Sequence, residues 1–194
     1  MFAILGLVVF LFSYQLGNRY AQPDKPDTSA FVLPEPIAIE AFSLIDEDGA
    51  AFNSGDLKGS WTLVMPGDHR LASCKQLMTR YVLAWNRLAN DKPLQNMTRV
   101  AFLTLAPTDQ SNNGLKSFIE FMHPDFVGLS GEEDEVRGFA AQLGLADSND
   151  KLILCDKLDS IVALINPQGQ LSALFTGISD PAIIAHDLET IAHR

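Results

Sequence analysis

The residues of this chain that could do chemistry gather at a predicted strand-to-helix turn. Cys74 follows His69 and Arg70 where a predicted strand, 61–65, gives way to a predicted helix that begins at Cys74. The free amide groups and dipole of a helix start stabilise a thiolate. The other cysteine, Cys155, lies 81 positions further along the chain. Spacing of this kind predicts neither a zinc knuckle nor a disulfide framework, although the two residues could still meet in space.

Three interpretations of these residues stay open. Cys74, Cys155 and His69 could converge and bind a metal ion. Alternatively, Cys74 is a peroxidatic or exchange thiol whose pKa is lowered from about 8.5 by the helix start, Arg70 and His69, with Cys155 as the resolving thiol. In the third interpretation Cys155 packs as a small buried hydrophobe within the apolar run 152–154, Cys74 is structural, and His69 is an exposed loop residue.

Composition limits the class of protein. The chain has 194 residues, of which 47% are hydrophobic, enough for one domain with a proper core. It carries 14 Lys and Arg against 24 Asp and Glu, a formal net charge of −10. Because the phosphate backbone demands a basic surface, we expect no nucleic-acid partner.

The amino-terminal segment predicts a membrane anchor. Residues 1–16 are almost wholly apolar and carry no charged side chain, and Gly17 and Asn18 extend the segment to about 27 Å as a helix. A cleaved signal peptide is the alternative, but its basic start and small-x-small cleavage site are missing. Four prolines within 21–36 predict an extended tether. We therefore expect an anchor over 1–18, a Pro-rich tether over 19–36 and a folded domain over 37–194.

The rest of the chain alternates between strand and helix patterns. A strand over 37–44, a turn at 46–49 and a return at 51–52 predict an amino-terminal β-hairpin. Further strands are predicted at 61–65, 99–105, 126–129, 161–165 and 171–175, with helices at 74–88, 114–122, 132–143 and 181–192. Ser73 is the expected N-cap of the first of these helices, and Met65 and Met78 are expected in the core. The alternation predicts an α/β fold with a central mixed sheet flanked by helices.

Several segments in order resemble one family. Phe42-Ser43-Leu44-Ile45-Asp46, the helix that follows Asp109, Phe126-Val127-Gly128-Leu129-Ser130-Gly131 and Leu164-Ile165-Asn166-Pro167-Gln168-Gly169 are similar to the corresponding segments of Sco/SenC proteins. The resemblance covers about 37–194 and implies a thioredoxin-like fold. It also implies a membrane-anchored factor that delivers copper to cytochrome c oxidase or keeps its thiols reduced.

The resemblance also locates a metal site that this chain has lost. The family binds metal through a Cys-x-x-x-Cys pair at the start of the first helix and a distant His. Setting Cys74 on the second cysteine puts Arg70 on the first, and counting back from Pro167 puts Leu158 on the histidine. Copper(I) prefers soft thiolate and imidazole ligands, and a guanidinium beside the site opposes its binding. The site is therefore degenerate, and Cys74, Cys155 and His69 are the candidates for rebuilding it.

The functional expectation follows from this combination. The chain is predicted to be a non-catalytic accessory protein that acts by binding in cytochrome c oxidase assembly or maintenance, without a cofactor. The resemblance implies a bacterial inner-membrane location, a single membrane pass, a domain facing the periplasm, and oxidase subunits or assembly factors as partners. The alternative is a thiol-disulfide oxidoreductase or copper chaperone that uses Cys74 and Cys155.

Overall fold

A six-stranded mixed sheet forms the centre of the domain. The computed structural model describes residues 28–104, 112–146, 155, 160–177 and 180–194. The strand order is β1-β8-β7-β4-β5-β6, with β2 and β3 as a separate hairpin. The strands are β1 (Phe31–Ala38), β2 (Ser43–Ile45), β3 (Ala51–Asn53), β4 (Trp61–Gly67), β5 (Thr98–Thr104), β6 (Val127–Leu129), β7 (Ile161–Ile165) and β8 (Gln170–Thr176).

The central strands β4 and β5 consist mainly of apolar residues because other elements cover both of their faces. β4 and β5 pair in parallel, β6 extends the parallel part beyond β5, and β7 pairs with β4 in the antiparallel direction. The helices are α1 (Ala72–Arg87), α2 (Lys92–Asn96), α3 (Asn112–Met122), α4 (Glu133–Gln142) and α5 (Pro181–Ala192). A single 3₁₀ turn, Leu88–Asn90, joins α1 to α2.

The helices divide the core into two layers. Side chains of α1, α3 and α5 pack on one face of the sheet in a cluster with Met65, Phe102 and Phe175. Side chains of α4 and of the β2–β3 hairpin pack on the other face. The predicted α/β class, with a mixed sheet flanked by helices and an amino-terminal hairpin, is confirmed. Met65 and Met78 lie fully buried in the core, as expected.

The amino-terminal boundary differs from the prediction. Residues 37–44 do not form one strand, because Ile37 and Ala38 end β1 while the hairpin strand begins at Ser43. β1 starts at Phe31, inside the range assigned to the tether, and pairs with β8 at the edge of the sheet. The two prolines within β1 are tolerated there because an edge strand has one side without ladder hydrogen bonds.

The carboxy-terminal elements agree closely with the pattern. β7 and β8 form the predicted hairpin around Gly169, whose φ of +79° is a conformation that glycine adopts without strain. α5 has the predicted bounds 181–192, and the side chain of Asp180 caps it by accepting a hydrogen bond from the N–H of Ala182 (2.7 Å). None of the helices in the described part of the chain is long and apolar enough to cross a membrane. The predicted anchor over 1–18 lies outside the described residues.

Candidate functional site

The turn between β4 and α1 forms the centre of the site. β4 runs to Gly67, and α1 begins at Ala72 with Leu71 as its N-cap residue. No side chain caps this helix start, so the predicted N-cap role of Ser73 is wrong. Ser73 lies inside the helix, where its hydroxyl no longer occupies the geometry of a cap. Cys74 is the third residue of the helix, in the turn where backbone N–H groups have no intrahelical acceptor.

Cys74 is bonded to Cys155 in a disulfide. The two Cα atoms lie 5.0 Å apart, within the range that a disulfide requires. Cys74 is fully buried and Cys155 is 7% exposed, and both belong to the core cluster on the α1 face of the sheet. The expectation that Cys155 packs only as a free buried hydrophobe is therefore wrong. It is buried in the apolar core, but it is bonded to Cys74 and is not a free thiol.

Gly67 makes the approach of Cys155 to the sheet possible. A Cβ atom at Gly67 would lie 2.6 Å from Sγ of Cys155 and 2.8 Å from Cζ of Phe102. Both distances are far below van der Waals contact, so any side chain at this position would displace the disulfide or the phenylalanine ring. The end of β4 is therefore shaped around the sulfur of Cys155.

Arg70 is paired with an adjacent carboxylate. Nε and Nη2 of Arg70 donate to Asp68, at 2.8 Å to Oδ1 and 2.6 Å to Oδ2 respectively. This bidentate bond lowers the pKa of the Asp68 carboxyl, against an opposing effect of partial burial. Arg70 is 66% exposed. Its positive charge is therefore compensated by Asp68, which weakens its expected influence on a Cys74 thiolate.

His69 occupies an intermediate position between exposed and buried. Its ring lies 6.2 Å from the ring of Phe118, centroid to centroid, and Nδ1 is buried without a hydrogen-bond partner. Burial lowers the pKa of the His69 imidazole, and the nearby Arg70 and Lys75 lower it further against the opposing effect of Asp68. The neutral form is therefore favoured, and the expectation of a simply exposed loop histidine is not met.

The described residues do not contain a cluster of three or more His, Cys, Asp or Glu side chains placed to hold a metal ion. The fold brings Cys74 and Cys155 together, as one of the open interpretations required. His69 stands on the same turn but does not complete a three-ligand set with them. Leu158, which the resemblance aligns with the family histidine, lies outside the described residues.

Sequence reasoning missed two residues that shape the site. Gly67 lies just beyond the predicted strand 61–65 and Phe102 lies within the predicted strand 99–105, and neither is a candidate site residue from sequence. A glycine at the end of a buried strand and seven residues before a cysteine is a signal of close backbone approach, but it does not identify the group that approaches.

The sequence of the chain is similar to those of one group of known proteins. The SCO1/SenC family model matches residues 33–193. A SCO2-like protein from Rickettsia felis is 30% identical over 101 residues, which is 50% of this chain and 46% of that protein. A SCO2-like protein from Rickettsia prowazekii is 27% identical over 180 residues, covering 86% of this chain and 84% of the relative. The chain thus spans about half the length of the R. felis relative and most of the R. prowazekii one.

Solved structures have the same fold at low sequence identity. ScoI from Arabidopsis thaliana with copper bound matches with a TM-score of 0.67 and 16% identity, over 79% of this chain and 97% of that one. BsSco, described as a member of the Sco family of cytochrome c oxidase assembly proteins with a disulfide switch, has a TM-score of 0.63 and 17% identity over 84% and 98%. A thiol:disulfide interchange protein of the thioredoxin family from Chlorobium tepidum has a TM-score of 0.57 and 15% identity over 82% and 99%. The thioredoxin-like fold is therefore confirmed.

Proposed function

This chain belongs to the SCO1/SenC family, and from that premise we propose that it is a non-catalytic accessory protein in the assembly or maintenance of cytochrome c oxidase. It acts by binding a partner rather than by carrying copper at the site that its family uses. The observation that carries this proposal is the buried Cys74–Cys155 disulfide, at the turn where the resemblance places Arg70 and Cys74 on the family's pair of cysteine ligands.

Copper(I) does not fit the oxidised pair. A disulfide sulfur carries no negative charge and is a poor ligand, whereas copper(I) is held by thiolates. Arg70 stands where the resemblance places the first cysteine, and its guanidinium is engaged with Asp68. The nearby imidazole of His69 supplies one soft nitrogen at most. The site in this state lacks the donor set that copper transport requires.

Burial of the bridge also argues against a catalytic thiol. Reactive cysteines lie in partially exposed, electropositive surroundings, whereas Cys74 is 0% exposed. The compensated charge of Arg70 leaves the helix start as the main group that would stabilise a thiolate. We therefore assign the bridge a structural role, tying the first turn of α1 to the segment that precedes β7.

Copper titration tests the proposal. The oxidised chain is expected to take up no copper(I) in competition with a chromophoric chelator, and to have no free thiol until it is reduced. The matched control is Cys74→Ser, which removes one sulfur and leaves the other free. Uptake of one equivalent of copper(I) by the oxidised wild type, with loss of that uptake in Cys74→Ser, would contradict the binding-only assignment.

The disulfide itself favours a second candidate, a thiol-disulfide oxidoreductase or copper chaperone that uses Cys74 and Cys155. A dithiol donor would attack one sulfur, form a mixed disulfide and release the other cysteine as a thiolate. The donor's second thiolate would then attack the donor's sulfur in the mixed disulfide and release the remaining cysteine as a thiolate. The donor leaves with its own disulfide, and Cys74 and Cys155 are both reduced. The reduced pair would also offer two thiolates to copper(I).

A redox equilibrium separates the two candidates. A structural bridge is expected to stay oxidised in glutathione buffers, with a potential below about −300 mV. An exchange disulfide would be reduced in the same buffers, and the fraction reduced can be read by alkylation and mass spectrometry. Reduction at a potential typical of oxidoreductases would move the assignment to the second candidate.

The location completes the proposal. The apolar segment 1–18 anchors the chain, and the domain faces the periplasm of a bacterial inner membrane. The apolar residues 1–18 support the anchor, and family membership supports the periplasmic location at a bacterial inner membrane. Oxidase subunits or other assembly factors are the partners that follow from this location.

A further inference from the structure

A buried carboxylate fixes the point at which the chain enters the folded domain. Asp187 on α5 is 2% exposed, and its Oδ2 accepts hydrogen bonds from the N–H of Ser29 (2.9 Å) and of Ala30 (2.8 Å). Thr28 and Ala30 are themselves 7% exposed. Hydrogen bonds from backbone amides to a buried carboxylate are charge-assisted and strong. The chain is therefore clamped to α5 immediately before β1 begins.

The register of the sheet places this entrance at the same end of the domain as the disulfide. Phe31 pairs with Leu174, Leu174 pairs with Ala163, and Ala163 pairs with Val64. Phe31 in β1 and Val64 in β4 therefore lie at the same height in the sheet, separated by three strand spacings or about 14 Å. β1 runs away from the end of β4 that carries Gly67, so the residues before Phe31 lie toward that end.

The tether is short compared with the domain. Residues 19–27 span at most about 30 Å when fully extended. A folded domain of this size is about 40 Å across. The tether cannot reach around the domain. The end of the domain at which the tether joins is therefore held nearer to the membrane in which residues 1–18 are anchored.

From these three observations we infer that the disulfide end of the domain faces the membrane. This inference rests on the anchor in the proposed function. The turn that carries Arg70 and the Cys74–Cys155 bridge then points toward the lipid surface.

Energy transfer to labelled lipids tests the orientation. The full-length chain, oxidised, is reconstituted into vesicles of phosphatidylcholine and phosphatidylglycerol that contain a lipid-bound acceptor dye. A donor dye is attached through a non-natural azide side chain, so that no new thiol disturbs the disulfide. One donor replaces Gln76, exposed near the start of α1, and the matched control replaces Asn96, exposed at the opposite end of the sheet.

The inference predicts higher transfer efficiency from position 76 than from position 96, because the two ends of β4 lie about 20 Å apart. Asp187→Ala is expected to reduce the difference, and Asp187→Asn, which keeps an acceptor oxygen, to preserve most of it. Equal transfer, or higher transfer from position 96, would overturn the inference. Failure of the chain to float with the vesicles would instead overturn the anchor itself. The two failures are therefore distinguishable.

Discussion

Gly67 shows how one residue without a side chain makes the disulfide possible. In Gly67→Ala the new methyl group would meet Sγ of Cys155 at 2.6 Å and the Phe102 ring at 2.8 Å. Overpacking of a buried site of this kind costs about 1–3 kcal/mol. We predict a loss of that size in the free energy of unfolding, measured by urea denaturation of the oxidised protein.

Gly138→Ala is the matched control for this variant. Gly138 lies in α4, and a Cβ atom there would meet nothing within 4 Å. Since alanine is a better helix former than glycine by about 1 kcal/mol, this substitution should stabilise the protein. If both variants changed stability in the same direction and by similar amounts, the role assigned to the space at Gly67 would be wrong.

The Asp68–Arg70 pair makes a pH-dependent contribution. Arg70 lowers the pKa of Asp68 in the folded protein below its ordinary value of 3.8. The contribution is therefore present above pH 3.8 and is lost as the pH falls through the folded-state pKa. Because Arg70 is exposed, the pair should contribute less than about 1 kcal/mol.

Unfolding between pH 2 and 6 measures this contribution. Arg70→Leu should lower stability slightly at pH 6, and its difference from wild type should vanish toward pH 2. Asp68→Asn should be less stable than wild type at pH 6. Its free energy of unfolding should lack the pH dependence that Asp68 contributes in the wild type. A difference between wild type and Arg70→Leu that grows as the pH falls would contradict this account.

At the scale of the elements, the disulfide ties α1 to the segment before β7. The bonded residues are 81 apart in sequence, so the bridge closes a long loop in the unfolded chain. Loop-closure entropy predicts a stabilisation of about 4.5 kcal/mol, and measured values are commonly about 2–4 kcal/mol. We predict a loss in that range when the oxidised protein is reduced, read from the urea midpoint with and without a phosphine reductant.

The double variant Cys74→Ala/Cys155→Ala supplies the control. Its urea midpoint should resemble that of the reduced wild type and should not respond to the reductant. An unchanged midpoint of the wild type on reduction would mean that the bridge does not stabilise the fold, and would favour the exchange candidate.

At the scale of the whole molecule, the proposed anchor over residues 1–18 would decide where the domain works. We predict that the full-length chain stays in the membrane fraction after alkaline carbonate extraction, and that a chain lacking residues 1–18 is recovered in the soluble fraction. The shortened chain should keep the unfolding midpoint of the full-length domain, because β1 begins at Phe31, well after the deletion. Release of the full-length chain by carbonate would argue for a cleaved leader instead.

Much of the fold and part of the site follow from local patterns. The apolar runs of β4 and β5, the β7–β8 turn at Asn166-Pro167-Gln168-Gly169 and the capped start of α5 at Asp180 are short-range features, which short stretches of sequence record directly. The start of β1 escaped prediction because its prolines suggest a tether, and only pairing with β8 makes the segment a strand. Asp187 was missed although it lies on the buried stripe of α5 with Ile184, Leu188 and Ile191.

The sequence by itself determined that this chain has a thioredoxin-like pattern, an apolar amino terminus, and an arginine where the family resemblance places a cysteine. Those properties depend on residue types and short spacings, which need no folding to be read. Only the tertiary structure decided that Cys74 and Cys155 are bonded. It also decided that Asp187 binds the backbone of Ser29 and Ala30 at the end of the sheet that carries this disulfide. Contacts between residues 81 or 158 positions apart depend on how the sheet and helices pack, and local periodicity carries no information about that packing.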